Sequence, residues 1–191
     1  QHWTVWHNIL DDGDYLRLND DSAAIDYAMF NDGQPTNTVV PLGNDGQVSN
    51  SGDDYIMYAW TAIKGYSAFS SYTGTAAADG PFVYCGFRPR WVMVKNIDAG
   101  GPSNSGRNWV IRDTARDDDN PVKNYILADA TYGGYTYEGS SNERFIDITA
   151  NGFKVRSAVG AGDAQYTPNV NGNKYLVAAF AEHPFKTARA R

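Results

Sequence analysis

Carboxylates are the side chains with which this 191-residue sequence could best do acid–base chemistry, since it has 19 Asp and three Glu among 22 acidic residues. A glycosidase needs two carboxylates aimed at one bond. Glu143 and Asp147 stand four residues apart and would share one face of a strand; the other glutamates are Glu138 and Glu182. Carboxylates are sparse on any one strand. The sequence therefore predicts that the protein is not an enzyme, with polysaccharide degradation as the least favoured alternative.

Motifs of other catalytic sites are missing from the sequence. No Gly-x-Ser-x-Gly elbow supports a Ser-His-Asp triad, and no phosphate-binding glycine loop is followed by a lysine. Cys85 is the only cysteine, so an intrachain disulfide is excluded, and its apolar neighbours predict a buried structural thiol. His2, His7 and His183 have no metal-ligand spacing. We therefore expect no cofactor and no metal ion.

Two acidic turns leave one alternative to that expectation open. Ca²⁺ prefers several oxygen ligands, and the turns offer them at positions 11, 12 and 14 (Asp11, Asp12, Asp14) and at positions 117–119 (Asp117, Asp118, Asp119). Neither turn has the full spacing of a calcium loop. Solvated turns are the favoured interpretation, and the sequence does not decide whether either cluster binds calcium.

A loop rich in Tyr and Gly is the best candidate for contacts with a ligand. It contains Tyr132, Tyr135 and Tyr137 between glycines. Tyr beside Gly offers rigid amphipathic contact area on an adaptable backbone, as in antibody loops, and aromatic faces also stack on sugars. The alternative is that these tyrosines cap the edge of the core, and the sequence favours neither interpretation.

Charge is distributed unevenly along the chain. The net charge is −6, and the first sixty residues carry ten Asp against a single basic residue, Arg17. An acidic body disfavours nonspecific binding to nucleic acid. The end is basic, with Lys186, Arg189 and Arg191, and we expect it either to dock on a neighbouring chain or to be a solvated terminus. No apolar run approaches ~20 residues, so no membrane insertion is predicted.

The composition is that of a strand-rich protein. Aromatic residues make up 14% of the chain, and 19 Gly with eight Pro supply turns. About ten or eleven short strands separated by turns, without a convincing helix, predict an all-β fold: an antiparallel β-sandwich of the jelly-roll type. The whole chain, 1–191, is expected to form a single domain. Because it starts with Gln1, we expect a processed chain or a piece of a longer polypeptide.

Two long apolar runs are expected to be the central strands. They cover residues 55–63 and 175–181, and each follows a turn rich in Asn and Gly. Their apolar residues are too continuous for a strand with one wet face. The sequence therefore predicts that both strands are buried, with Trp60 and Phe180 in the core. Residues 37–42 are expected to form a short edge strand, 144–148 and 152–156 a hairpin across the turn at 149–151, and 70–80 a surface loop.

Five stretches, in this order, resemble one known family: residues 53–60, 65–74, 79–92, 151–156 and 181–186. Together they resemble an uncharacterised β-rich domain of tail-fibre and other virion proteins of tailed bacteriophages, over residues 3 to 191. The resemblance implies a concanavalin- or laminin-G-like jelly roll, no catalytic residues and a place in the virion. It implies a tail-fibre, head-fibre or decoration domain whose partners are copies of itself, other virion proteins and, at a fibre tip, a host surface glycan. A lectin-like carbohydrate-binding module is the alternative function.

Overall fold

The computed structural model describes residues 1–98, 107–131, 134–136, 145–156 and 168–185. Within them the fold is all-β, with twelve strands and no helix. The described residues accordingly contain no helix long and apolar enough to cross a membrane. In chain order the strands are β1 (Thr4–Val5), β2 (Asp14–Arg17), β3 (Ile25–Asp26), β4 (Ser67–Thr73), β5 (Phe82–Tyr84), β6 (Pro89–Asn96), β7 (Val110–Asp113), β8 (Asn124–Leu127), β9 (Tyr135–Thr136), β10 (Phe145–Thr149), β11 (Gly152–Arg156) and β12 (Lys174–Ala181).

The largest sheet has six antiparallel strands in the order β4-β12-β6-β7-β8-β9. β12 lies between β4 and β6 and pairs with both along its length. Alternate side chains of a strand point to opposite faces of its sheet. Val177 and Ala179 accordingly join one core cluster, and Leu176 joins a second cluster on the other face. The prediction that the strand at 175–181 is central and covered on both faces is confirmed.

A second sheet has the order β10-β11-β5 and is also antiparallel. Its hairpin places Thr149 opposite Gly152, which confirms the hairpin expected from the sequence. A Cβ at Gly152 would lie 2.0 Å from the carbonyl oxygen of Val83 on β5, so only glycine lets these strands approach. Phe153 and Val155 of β11 share one core cluster with Val177 of the six-stranded sheet.

A third sheet, β1-β2-β3, is formed by the N-terminal residues. Trp109, beside β7, is 1% exposed and packs against Leu16 of β2 in the second core cluster. Its indole Nε1 donates a 2.7 Å hydrogen bond to the carbonyl oxygen of Arg17. A buried indole N–H needs such an acceptor, so this bond helps to fix the N-terminal sheet on the large one.

The prediction of a central strand at 55–63 is wrong. Residues 55–62 are exposed and belong to no strand, and Trp60 is 65% exposed. Continuous apolarity indicated burial on both faces, but here the apolar run crosses the surface. The edge position next to β12 is instead taken by β4, which covers part of the stretch 70–80 that was expected to be a loop.

Two smaller predictions also need correction. Phe180 is only half-buried, because β12 leaves the covered part of the sheet after Ala179. Its ring packs instead in an aromatic cluster with Tyr66, Phe69 and Trp91, at centroid distances of 6.0, 5.9 and 5.6 Å. Residues 37–42, expected to be an edge strand, have no strand structure and are mostly exposed.

Candidate functional site

The most unusual surface feature is the segment 55–63, an extended apolar stretch that lies open to solvent. Ile56, Met57 and Trp60 are each about two-thirds exposed, at 66%, 65% and 65%. Single exposed apolar side chains are ordinary, but a contiguous run of them marks an interaction surface. We call this surface, together with Trp3, the aromatic patch.

Three rings form the centre of the aromatic patch. Trp3 stacks on Tyr58 with centroids 6.3 Å apart and planes 24° from parallel, and Tyr58 stacks on Trp60 at 6.1 Å and 22°. Tyr58 and Trp60 are two positions apart, so both side chains point to the same side of the extended backbone. The result is a row of three nearly parallel rings that remain 52%, 58% and 65% exposed.

Hydrogen bonds hold both ends of the segment. At its start, the Tyr55 hydroxyl donates to the carbonyl oxygen of Gly46 and accepts from the amide of Asn50, both at 2.8 Å. At its end, the amide of Ile63 donates to the carbonyl oxygen of Ser67 at 3.1 Å, and the Ser67 hydroxyl donates to the carbonyl oxygen of Thr61 at 2.8 Å. The segment is therefore anchored at its two ends, and in the described part of the chain its pairing with a strand is limited to the bridge between Ile63 and Ser67.

The middle of the segment offers unused backbone groups. Among the described residues, no backbone hydrogen bond is made by the amides or carbonyl groups of residues 56–60. Asp53 and Asp54 precede the segment, Lys64 follows it, and all three are exposed. The patch thus combines exposed rings, backbone groups that have no backbone partner in the described part of the chain, and opposite charges at its two ends.

Two of the three tyrosines expected to bind a ligand lie outside the described residues. This holds for Tyr132 and Tyr137; Tyr135 lies in the two-residue strand β9, where its backbone pairs with Tyr125. The basic C-terminal residues 186–191 also lie outside the described part of the chain. Both the binding role of the three tyrosines and the docking role of the tail remain predictions.

The carboxylates considered for catalysis are engaged in ion pairs where the structure describes them. The Asp147 carboxylate forms an ion pair with the Arg156 guanidinium at 3.3 Å, and the Glu182 carboxylate pairs with Arg88 at 2.7 Å and with Arg90 at 3.7 Å. Glu138 and Glu143 lie outside the described residues, so the pairing of Glu143 with Asp147 stays a prediction.

In each acidic turn one carboxylate accepts hydrogen bonds within the protein: Asp12 from the side-chain amide of Gln34, and Asp117 from backbone amides. Asp117 caps the start of β8, where its Oδ2 accepts hydrogen bonds from the backbone amides of Lys123 and Asn124 at 2.7 and 2.5 Å. Burial, reinforced by the charges of Asp11 and Asp26, raises the pKa of the Asp14 carboxyl. No group of three or more His, Cys, Asp or Glu placed to hold a metal ion occurs in the part of the chain that the structure describes.

Several titratable groups are buried away from the patch. Lys95 is fully buried, and its ammonium donates to the carbonyl oxygens of Arg107 and, at 3.4 Å, of Asp20. Burial lowers the pKa of Lys95 to about 8, which the charge of Asp129 partly opposes. Burial likewise lowers the pKa of His7 to about 4 and raises the pKa of the half-buried Cys85 thiol to about 11. At neutral pH Cys85 therefore stays a thiol, which fits the structural role expected for it.

Sequence reasoning missed Trp3 as part of a surface site and placed Trp60 in the core. The signal that could have found the patch is the charge at its ends: Asp53 and Asp54 before the run and Lys64 after it. The stacking of Trp3 on Tyr58 joins residues 55 positions apart and leaves no mark in a single sequence.

Comparisons with known proteins give one match. No curated protein and no solved structure matches the chain significantly. A protein family described as "Domain of unknown function (DUF7483)" matches residues 1–184, which is nearly the whole chain. The chain therefore belongs to the DUF7483 family.

Proposed function

We propose that this chain is a structural domain of a tailed-bacteriophage virion, from a tail fibre, a head fibre or a capsid decoration. It assembles there with copies of itself and with other virion proteins. The sequence resemblance to virion proteins suggests the proposal, and the aromatic patch is the observation that carries it. Trp3, Tyr58 and Trp60 alone expose roughly 350 Å², and the exposed side chains of Ile56 and Met57 extend the same patch. Monomeric proteins rarely expose contiguous apolar patches beyond a few hundred Å², so a surface of this size favours an assembly role.

The proposed fold is a jelly-roll sandwich of the concanavalin or laminin-G kind. Its support is the main core cluster, which draws Val92, Val94 and Val177 from the six-stranded sheet and Ile148 and Phe153 from β10-β11-β5. Two sheets that share one layer of inward side chains are the basis of a sandwich. Such folds host many functions, so the patch and not the fold supports the assembly role.

Analysis of purified particles tests the proposed function. Phage particles from a culture that expresses this gene are banded by density, digested and searched for peptides of this chain by mass spectrometry. We expect the peptides to band with the particles and immunogold labels to mark a fibre or the capsid surface. Finding the chain only in the soluble host fraction would contradict the proposal.

One observation favours a second candidate, the lectin-like module. The three rings of the patch lie within 24° of parallel with their neighbours, and such a platform suits the flat face of a sugar. Binding to an array of bacterial surface glycans tests it. We expect Trp60→Ala to abolish glycan binding and Tyr84→Ala to preserve it. Tyr84 is a matched control because it is also well exposed, at 67%, but lies on β5 outside the patch. Equal binding by both variants would exclude the patch as a sugar site.

A further inference from the structure

The 55–63 segment is matched in charge and side-chain type to a second copy of itself in antiparallel orientation. When a strand pairs with its own copy about a two-fold axis, any two residues that face each other have residue numbers that add up to the same value. An axis at Ala59 places Asp54 of each copy opposite Lys64 of the other. Both residues are exposed, and Lys64 is the first residue of the turn that directly follows the segment, so the pairing brings opposite charges together at both ends of the paired strands.

The same axis places aromatic rings opposite each other. Tyr58 of one copy then faces Trp60 of the other, twice per dimer, and aromatic cross-strand pairs stabilise antiparallel sheets. A slip by one residue would put Tyr58 opposite Ala59 and move the side chains to the wrong faces. The register centred on Ala59 is therefore the one that matches charge and rings together.

The backbone also favours this pairing. Residues 56–60 are extended and make no backbone hydrogen bond with any described residue. An unpaired extended strand with an apolar surface is a template for another strand. Pairing with a second copy along one edge would satisfy the amides and carbonyl groups of alternate residues of the segment and would shield part of the exposed rings from water.

The protein's own sheet edge is the competing partner, and the anchors of the segment act against it. Among the described residues β4 pairs with β12 on one side, and an isolated bridge between Ile63 and Ser67 brings the end of the segment to the other edge of β4. Two contacts hold the rest of the segment away from β4. The Tyr55 hydroxyl donates a hydrogen bond to the carbonyl oxygen of Gly46, and Tyr58 stacks on Trp3. These contacts would have to break before the segment could close on β4.

We propose that two copies of this chain join by antiparallel pairing of their 55–63 segments about a two-fold axis at Ala59. The inference rests on the proposed function, because it names the partner of the same patch. A two-fold interface uses the same surface on both copies. Its apolar side chains are Trp3, Tyr55, Ile56, Met57, Tyr58, Trp60 and Ile63. Their combined exposed area is comparable with the roughly 800 Å² that each partner buries in a standard interface, and strand pairing would bury part of it.

Charge reversal tests the pairing in solution. Sedimentation equilibrium at low salt measures the dimer dissociation constant of the whole chain, with near-ultraviolet circular dichroism as the check on folding. Asp54→Lys and Lys64→Asp each place like charges together at both ends of the interface, and we expect either change to weaken the dimer about tenfold. The double variant, Asp54→Lys with Lys64→Asp, exchanges the charges and should restore the wild-type constant. A dimer dissociation constant that stays the same in both single variants and in the double variant would overturn the pairing.

Cysteine cross-linking tests the register. In a Cys85→Ser background, Ala59→Cys puts two thiols on the axis, within disulfide reach. The control Ala62→Cys, three residues away, leaves its two thiols about 20 Å apart. We expect a disulfide dimer from Ala59→Cys alone. Equal cross-linking of both variants, or none by either, would overturn the register.

Hydrogen exchange and particle analysis separate the remaining outcomes. Slow exchange of the 56–60 amides in dilute monomer would show closure on β4 and would overturn the pairing. A chain that bands with particles but does not dimerise through this segment would remove this inference and leave the proposed virion role. A chain that dimerises normally but is absent from the particles would remove the proposed virion role and leave the dimer.

Discussion

Replacing Lys95 with methionine should remove a rise in stability that the wild-type protein shows in the alkaline range. Lys95 is fully buried, and burial lowers its pKa from an ordinary 10.5 to about 8. Between these values the unfolded chain keeps a proton that the folded protein has released. Stability increases with pH wherever the unfolded state binds more protons, so the contribution of Lys95 is lowest below pH 8 and grows up to pH 10.5.

The size of the effect follows from the two pKa values of Lys95. One unit of pKa difference corresponds to about 1.4 kcal/mol. Integrated from pH 7 to pH 10, the shift from 10.5 to about 8 raises the unfolding free energy by roughly 2.5 kcal/mol. Methionine has a similar length and no titratable group, so Lys95→Met should lack this rise.

Urea unfolding followed by tryptophan fluorescence at pH 7, 8, 9 and 10 measures the effect as a difference between wild type and variant. The difference isolates Lys95 from other groups that titrate in this range. Burial raises the pKa of Cys85, Tyr72 and Tyr175, and their stabilisation is lost as pH rises, but they are common to both proteins. A difference that stays constant from pH 7 to pH 10 would refute the reasoning.

Three other outcomes are expected. Gly152→Ala should lower the unfolding free energy by about 3 kcal/mol, because its Cβ would meet the Val83 carbonyl oxygen at 2.0 Å; Gly46→Ala, with its nearest neighbour at 3.9 Å, is the matched control and should change it by less than about 0.5 kcal/mol. In denaturant unfolding of dilute protein, Phe153→Ala should lower the free energy of unfolding by about 3–5 kcal/mol, whereas Trp60→Ala should lower it by less than about 0.5 kcal/mol. A large loss for Trp60→Ala would show that Trp60 is buried in the core. Far-ultraviolet circular dichroism should show a strand spectrum, and a helical one would contradict the fold.

The elements that sequence reasoning predicted well are those whose local pattern and tertiary setting agree. β12 is a continuous apolar run after an Asn-Gly turn, and it lies between two strands with both faces covered. The hairpin of β10 and β11 has its turn residues where the alternation of apolar side chains stops. In both cases the periodicity and the burial requirement select the same answer.

The errors arise where the partner surface decides. The 55–63 segment has the same apolar character as β12, and nothing local distinguishes a strand covered by a sheet from one left open. β4, with three serines in seven residues, has a weak strand pattern, but an edge position tolerates small polar side chains. The burial of Lys95 depends on carbonyl oxygens 12 and 75 positions away, which a single sequence cannot show.

The pairing of β12 along its whole length also determines how the protein would respond to mechanical tension. A pull on the backbone at Phe185 would run along β12, whose hydrogen bonds to β4 and β6 stand perpendicular to the strand. Those bonds would be sheared together and not opened one after another. The amide of Phe185 also bonds to the carbonyl oxygen of Gly65 at 3.1 Å, and its ring stacks on Tyr66 at 5.5 Å. These contacts would yield first, so tension would reach the turn beside the aromatic patch before it reached the core.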